Sequence, residues 1–102
     1  MFKKAKDGAL RSFSGVGHFN MKYVYLLQSI PHPERRYIGI TSNLKKRLKD
    51  HNSGKTPHTS KYLPWKIVVA IFFEDDARAF EFEKYVKTGS GYAFAKRHFW
   101  PL

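Results

Sequence analysis

The first patterned segment of the chain is the apolar run from Tyr23 to Leu27, closed by Gln28 and Ser29. Tyr23, Tyr25 and Leu27 fall on one face and Val24 and Leu26 on the other, and the richness in aromatic and branched side chains predicts a strand. Pro31-His32-Pro33 ends it. Arg36 to Thr41 predicts a second strand, in which Tyr37 and Gly39 share a face, and the short link implies an antiparallel hairpin. Ser42 or Asn43 can cap a helix from Leu44 to about Asn52, with Gly54 as its stop. Gly54 to Pro64 is polar, basic and broken by Pro57 and Pro64, which makes it a loop. Trp65 to Phe73 is a nearly continuous apolar run, as expected of a central strand covered on both faces. Asp75 or Asp76 can cap a second helix from Ala77 to Thr88, ended by Gly89. A short basic helix, Tyr92 to about His98, follows Ser90 and Gly91 and leaves Phe99 and Trp100 to dock.

The element order is thus β-β-α-β-α-α, a small α/β domain on a three-stranded sheet flanked by helices. Its length of 102 residues argues for one domain, and 42% hydrophobic and 17% aromatic residues can furnish a core. Residues 1–20 hold no sustained period and contain Gly8, Gly15 and Gly17, so they read as a flexible basic leader ahead of a domain over 21–102. Met21 stands just before the first strand, as it would if the true start lay there; a genuine basic arm gives the same pattern.

Charge narrows the range of partners. Nineteen Lys and Arg against eight Asp and Glu give a net charge of +11, which points to a polyanion: nucleic acid, an acidic membrane surface or an acidic protein. The first twenty residues carry four basic and one acidic side chain. The remaining 82 keep fifteen against seven, a net charge of +8, so the basic character belongs to the domain. Cysteine is absent, which excludes disulfides, a thiolate nucleophile and Cys-ligated zinc. No apolar run approaches a membrane span and no signal peptide is evident, so the expected setting is soluble and cytoplasmic.

Chemistry is sought where polar side chains fall on faces that periodicity assigns to the core. Leu44 and Leu48 mark the buried stripe of the first helix, and Arg47 and His51 lie on its edge. Arg47 either faces a cleft or snorkels to water. On the second helix Ala79, Phe82 and Val86 form a stripe whose missing i+4 member is Glu83, whereas Glu81 points to the solvated face. Glu83 is either half of a structural ion pair, with Arg47 as a candidate partner, or a metal ligand or general base. Tyr25 and Tyr37 come from adjacent strands on one face, with Gly39 beside them, and glycine inside a strand marks close approach of a helix or ligand. His18, His32, His51, His58 and His98 lack the spacing of a zinc site. Two phenols, an arginine, a histidine and a carboxylate on one side of a sheet suit phosphodiester cleavage.

These residues also form a known signature. Tyr23-Val24-Tyr25 and Tyr37-Ile38-Gly39 resemble the paired motifs of the GIY-YIG nuclease family, and Gly39 to Asn52 resembles its first helix, with Arg47 and His51 at the family's spacing. Ala79 to Lys87 is similar to its metal-binding helix. The resemblance covers residues 22 to about 99 and implies a central three-stranded antiparallel sheet and metal-dependent hydrolysis of DNA. Glu83 would match the carboxylate that holds one Mg²⁺ or Mn²⁺, Arg47 the guanidinium beside the scissile phosphate, Tyr25 and Tyr37 the motif tyrosines, and His51 an assisting position. The first motif keeps only its last tyrosine, and the asparagine many members carry after the metal-binding helix has no counterpart, since no Asn follows Asn52.

The resulting expectation is a small stand-alone endonuclease with little sequence specificity, binding DNA backbone through Lys55, Lys61, Lys96 and Arg97. A non-catalytic nucleic-acid-binding module on the same scaffold is the alternative, and an interaction domain with a structural Glu83–Arg47 pair is a third. A partner protein is left open.

Overall fold

A computed structural model describes residues 21–101. The leader over residues 1–20 and the question of a start at Met21 therefore lie outside the described residues. The chain runs β1 (Lys22–Ser29), β2 (Arg36–Thr41), α1 (Leu44–Asn52), a 3₁₀ turn (Ser60–Tyr62), β3 (Trp65–Phe73), α2 (Asp76–Val86) and α3 (Gly89–His98). The strands form one antiparallel sheet in the order β2-β1-β3. This is the α/β arrangement that the residue pattern implies, with one difference in strand placement.

The difference concerns β3. Its apolar run suggests a central strand, yet it lies at an edge, with Lys66 and Ala70 exposed, while β1 occupies the centre and is buried from Val24 to Ser29. Continuous hydrophobicity reports cover on both faces, which an edge strand can also have; it does not report a neighbour on both sides.

Strand parity divides the interior in two. Val24 and Leu26 of β1, with Ile38 of β2, face α2 and α3 and pack with Ala79, Val86, Ala95 and Trp100. Tyr25 and Leu27 face the other way, with Trp65, Tyr37, Leu44, Leu48 and Ile67 around them. The β1–β2 register sets Tyr25 opposite Gly39 and Leu27 opposite Tyr37, which puts both tyrosines on the α1 side.

Side chains fix the ends of the elements. Asn43 caps α1 by accepting from Lys46 N at 3.1 Å, and Asp75 caps α2 by accepting from Ala77 N at 3.1 Å. Asn52 joins α1 to β3: its Nδ2 donates to Trp65 O at 3.0 Å and its Oδ1 accepts from Trp65 N at 2.7 Å, so one amide satisfies both backbone groups of the first strand residue.

The last helix starts earlier than its composition suggests. Thr88 accepts from Gly91 N, so Gly89 opens α3 instead of merely ending α2, and α2 itself stops at Val86. A threonine cap outweighs the low helix propensity of two glycines because it satisfies an otherwise orphaned N–H. Gly91 is required for a second reason: a Cβ there would overlap the Tyr85 carbonyl of α2. Beyond α3, Trp100 inserts into the core and its Nε1 donates to Leu27 O at 3.1 Å, beside the irregularity in the β1–β3 pairing.

Candidate active site

Tyr25 is the centre of the site because it is the centre of the sheet. Its side chain is 1% exposed, and its ring lies directly over Gly39, where a Cβ would overlap the hydroxyl and Cζ. The close approach marked by that glycine is therefore made by a tyrosine of the neighbouring strand, not by a helix or a ligand.

Helix α1 brings two further groups to the phenol. Arg47 Nε donates to Tyr25 Oη at 3.3 Å, and His51 Nε2 lies 2.9 Å from the same oxygen. One helical turn separates Arg47 from His51, so both reach the sheet from one edge of the helix. The Tyr37 ring stands edge-on to His51 with centroids 4.8 Å apart, and 6.3 Å from the Tyr25 ring.

The far side of the imidazole is also held. His51 is fully buried and its Nδ1 lies 2.9 Å from Thr59 Oγ1, while Thr59, equally buried, donates to Thr56 O at 3.4 Å. Proton positions follow from the network. Thr59 spends its hydrogen on Thr56, so it accepts from His51 Nδ1–H. His51 Nε2 is then an acceptor, and it receives the Tyr25 hydroxyl proton. Tyr25 oxygen in turn accepts from Arg47. This assignment gives every proton in the chain a partner.

The electrostatics agree. Burial lowers the His51 pKa below its usual 6.5, the Arg47 charge lowers it further and Asp50 opposes both, so the imidazole is neutral at pH 7. Burial raises the Tyr25 phenol above its usual value of 10.0; Arg47 opposes this, and the Tyr37 and Glu83 charges add to it. The hydrogen bond to Tyr25 raises the Arg47 pKa, and the guanidinium is permanently charged.

Glu83 stands on α2, which packs on the Val24 and Leu26 face of the sheet. Contrary to expectation, the carboxylate therefore does not share one side of the sheet with Tyr25, Arg47 and His51; its charge nevertheless acts on the Tyr25 phenol. The Glu83 side chain is 17% exposed and its carboxylate pairs with Lys87 Nζ at 2.5 Å, one turn further along α2. The Glu83–Arg47 pair considered from sequence is not formed: Arg47 bonds to Tyr25 instead. Glu81 is exposed, as its helical position implies. No cluster of three or more His, Cys, Asp or Glu occurs among the described residues, and Glu83 stands as a single carboxylate.

A cavity of about 560 Å³ opens beside β2, lined by Arg36, Tyr37, His58, Lys87, Tyr92 and Trp100 among others. It touches the constellation through Tyr37 and through Lys87, the partner of Glu83. Of the four cations expected on the DNA backbone, Lys55 and Lys61 are exposed on the loop after α1, and Lys96 and Arg97 on the last turn of α3. None lines this cavity.

Sequence reasoning missed Thr59. It lies in a polar segment between Pro57 and Pro64 that has no period, and nothing local marks it as buried. The available signal was indirect: a histidine placed at a helix–sheet boundary needs an acceptor for its second nitrogen.

Comparison with known proteins supplies the family. Residues 21–93 match the model of the GIY-YIG catalytic domain, and the chain belongs to the GIY-YIG family, a class of phosphodiester-cleaving nucleases. It is 38% identical over 82 residues to the structure-specific endonuclease subunit SLX1 of Candida dubliniensis, an alignment covering 74% of this chain and 27% of that protein. It is 41% identical over 68 residues to the UPF0213 protein CPE1444 of Clostridium perfringens, covering 66% and 71%. The SLX1 homolog of Giardia intestinalis is 35% identical over 75 residues, covering 70% and 21%. The chain thus spans about a quarter of the length of the SLX1 relatives it matches.

Proposed function

We propose that the domain is a divalent-metal-dependent endonuclease that hydrolyses DNA phosphodiester bonds with little sequence preference of its own. The observation that carries this reading is the chain Arg47–Tyr25–His51–Thr59. A buried phenol with its proton directed at a neutral imidazole and its oxygen held by a fixed guanidinium is costly as mere packing and suits proton transfer. The SLX1 relatives are named for structure-specific cleavage and as subunits, so a preference for DNA structure over sequence and a partner protein enter the proposal from them.

Each residue has a role its geometry permits. Arg47 uses Nε to hold Tyr25 and keeps its two Nη groups for a phosphate oxygen. Tyr25, which its raised pKa keeps protonated, cannot serve as a base alone. It accepts a proton from the attacking water as its own proton passes to His51 Nε2, so no phenolate forms. The lowered pKa of His51 favours release of that proton once the bond is cut. Thr59 keeps the accepting nitrogen turned toward Tyr25, and Tyr37 packs edge-on against the imidazole.

Glu83 is the residue that would hold Mg²⁺ or Mn²⁺. A single, largely buried carboxylate fits an ion that retains several waters, and its only ion-pair partner among the described residues is Lys87, a cation that another cation can replace. An ion held there would supply charge neutralisation at the phosphate and leaving oxygen.

Glu83→Gln is expected to abolish Mg²⁺- and Mn²⁺-dependent nicking while DNA binding persists or tightens, because a negative charge is removed from a basic setting. Cleavage retained by Glu83→Gln would remove Glu83 as the metal-holding residue, and a wild-type chain inert toward branched, single-stranded and duplex DNA with either ion would return the domain to a binding module.

A further inference from the structure

Arg36 is the cation of the cavity that has no carboxylate partner among the described residues. It lies next to Tyr37 on the edge strand β2, one residue out of phase, so its side chain leaves on the α2–α3 side. Its guanidinium stacks on Trp100, 5.4 Å from the ring centroid, and Trp100 is itself 3% exposed and fixed by the hydrogen bond to Leu27. Stacking on a buried indole restricts a side chain that would otherwise sample many rotamers. Among the described residues Arg36 meets no carboxylate, and its Nε is buried without a hydrogen-bond partner. Buried donors in proteins are normally satisfied, and this unmet demand falls on a fixed planar fork that matches a phosphate.

The surroundings favour an anion of nucleotide size. The cavity, about 560 Å³, carries Arg36 and Lys87 and, among the described residues, no acidic side chain, and Tyr37, His58, Tyr92 and Trp100 give it an aromatic wall. Lys87 is engaged by Glu83, and of the two cations Arg36 is the one with a buried donor left unmet. We propose that this cavity binds one nucleotide of the DNA strand flanking the scissile bond, and that Arg36 is its phosphate-binding residue. The proposal rests on the nuclease reading, since Tyr37 belongs both to the catalytic constellation and to the cavity wall.

The test is binding of short fluorescein-labelled oligonucleotides, single-stranded and duplex, by the full chain in EDTA as salt is varied. Arg36→Gln is expected to weaken binding about tenfold. It should also reduce the slope of log affinity against log salt by about 0.7 on single strands or 0.9 on duplex. With metal present KM should rise more than kcat falls. A methylphosphonate scan locates the contact: neutralising the phosphate next to the cleaved bond weakens wild type and leaves Arg36→Gln unchanged.

If Arg36→Gln fails to fold, Arg36→Lys serves, since it keeps the charge and loses the fork; a weaker affinity at unchanged melting temperature then supports the subsite. A folded Arg36→Gln with wild-type affinity and salt slope, in a chain that still cleaves DNA, overturns the subsite and leaves the nuclease reading intact. A wild-type chain that neither binds nor cleaves DNA overturns both.

Discussion

The two faces of β1 are one strand used for two purposes. Val24 and Leu26 enter a dry layer with Ile38, Ala79, Val86, Ala95 and Trp100, where what counts is volume. Tyr25, between them in sequence, enters a layer where what counts is where each proton sits. A period of two separates these layers by a single residue, so stability and chemistry sit back to back across one sheet. Side chains on the dry face can be exchanged for others of similar size at modest cost. Those on the Tyr25 face cannot, because each hydroxyl or ring nitrogen removed leaves a buried partner unsatisfied.

Substitutions on the two faces should therefore fail differently. Tyr25→Phe is expected to have the largest catalytic effect, a drop in rate of about 10²–10⁴-fold, as for loss of a positioned proton-transfer group. Its stability should change far less than its rate, which steady-state kinetics and thermal melts on one preparation would show. A rate within a few-fold of wild type would remove Tyr25 from the chemistry. On the opposite face Leu26→Ala should cost about 2–5 kcal/mol of stability, read as a shift in urea midpoint at constant m, while the rate per folded molecule holds. A selective loss of rate there would mean that the two faces are coupled.

A smaller effect, and the one that most sharpens the contrast, is expected at Thr59. Thr59→Val keeps the shape and removes the acceptor for His51 Nδ1, with a stability loss of about 1–3 kcal/mol. Catalysis should fall too, since the tautomer that accepts from Tyr25 is no longer enforced, and Thr59→Ser should restore it where Thr59→Ala does not. Acid should act through the same group. Because the folded state lowers the His51 pKa, the unfolded chain takes up that proton first as pH falls through about 6.5. The His51 contribution to stability is therefore complete above that pH and declines below it. Melting temperatures that stay flat from neutrality down to about pH 5 would show that His51 is not held neutral.

How much of this could be read without coordinates depends on how local each cause is. The strands and helices follow from period and caps, and the termini of β2, α1 and β3 coincide with those expected. The start of α3 escaped because Thr88 reads as the end of α2 until its side chain is seen to cap the next helix. The edge position of β3 escaped because an apolar run is silent about pairing partners. Glu83 was legible as a carboxylate out of place on an apolar stripe, yet its pairing with Lys87 instead of Arg47 was not, since both cations were within conceivable reach.

Sequence alone determined which residue types are present and on which face of each element they stand. That sufficed to put Tyr25 and Tyr37 on one side of a hairpin and Arg47 and His51 on one edge of a helix. The tertiary structure decided what those groups do to one another: that Gly39 leaves room for the Tyr25 ring, that Thr59 folds back from the segment after α1 to fix His51, and that Arg36 is stacked on Trp100 from beyond α3. The reason is physical. Periodicity encodes exposure, which each residue expresses by itself, whereas a proton position or an unmet donor belongs to a pair, and the partner is chosen only when the chain closes on itself.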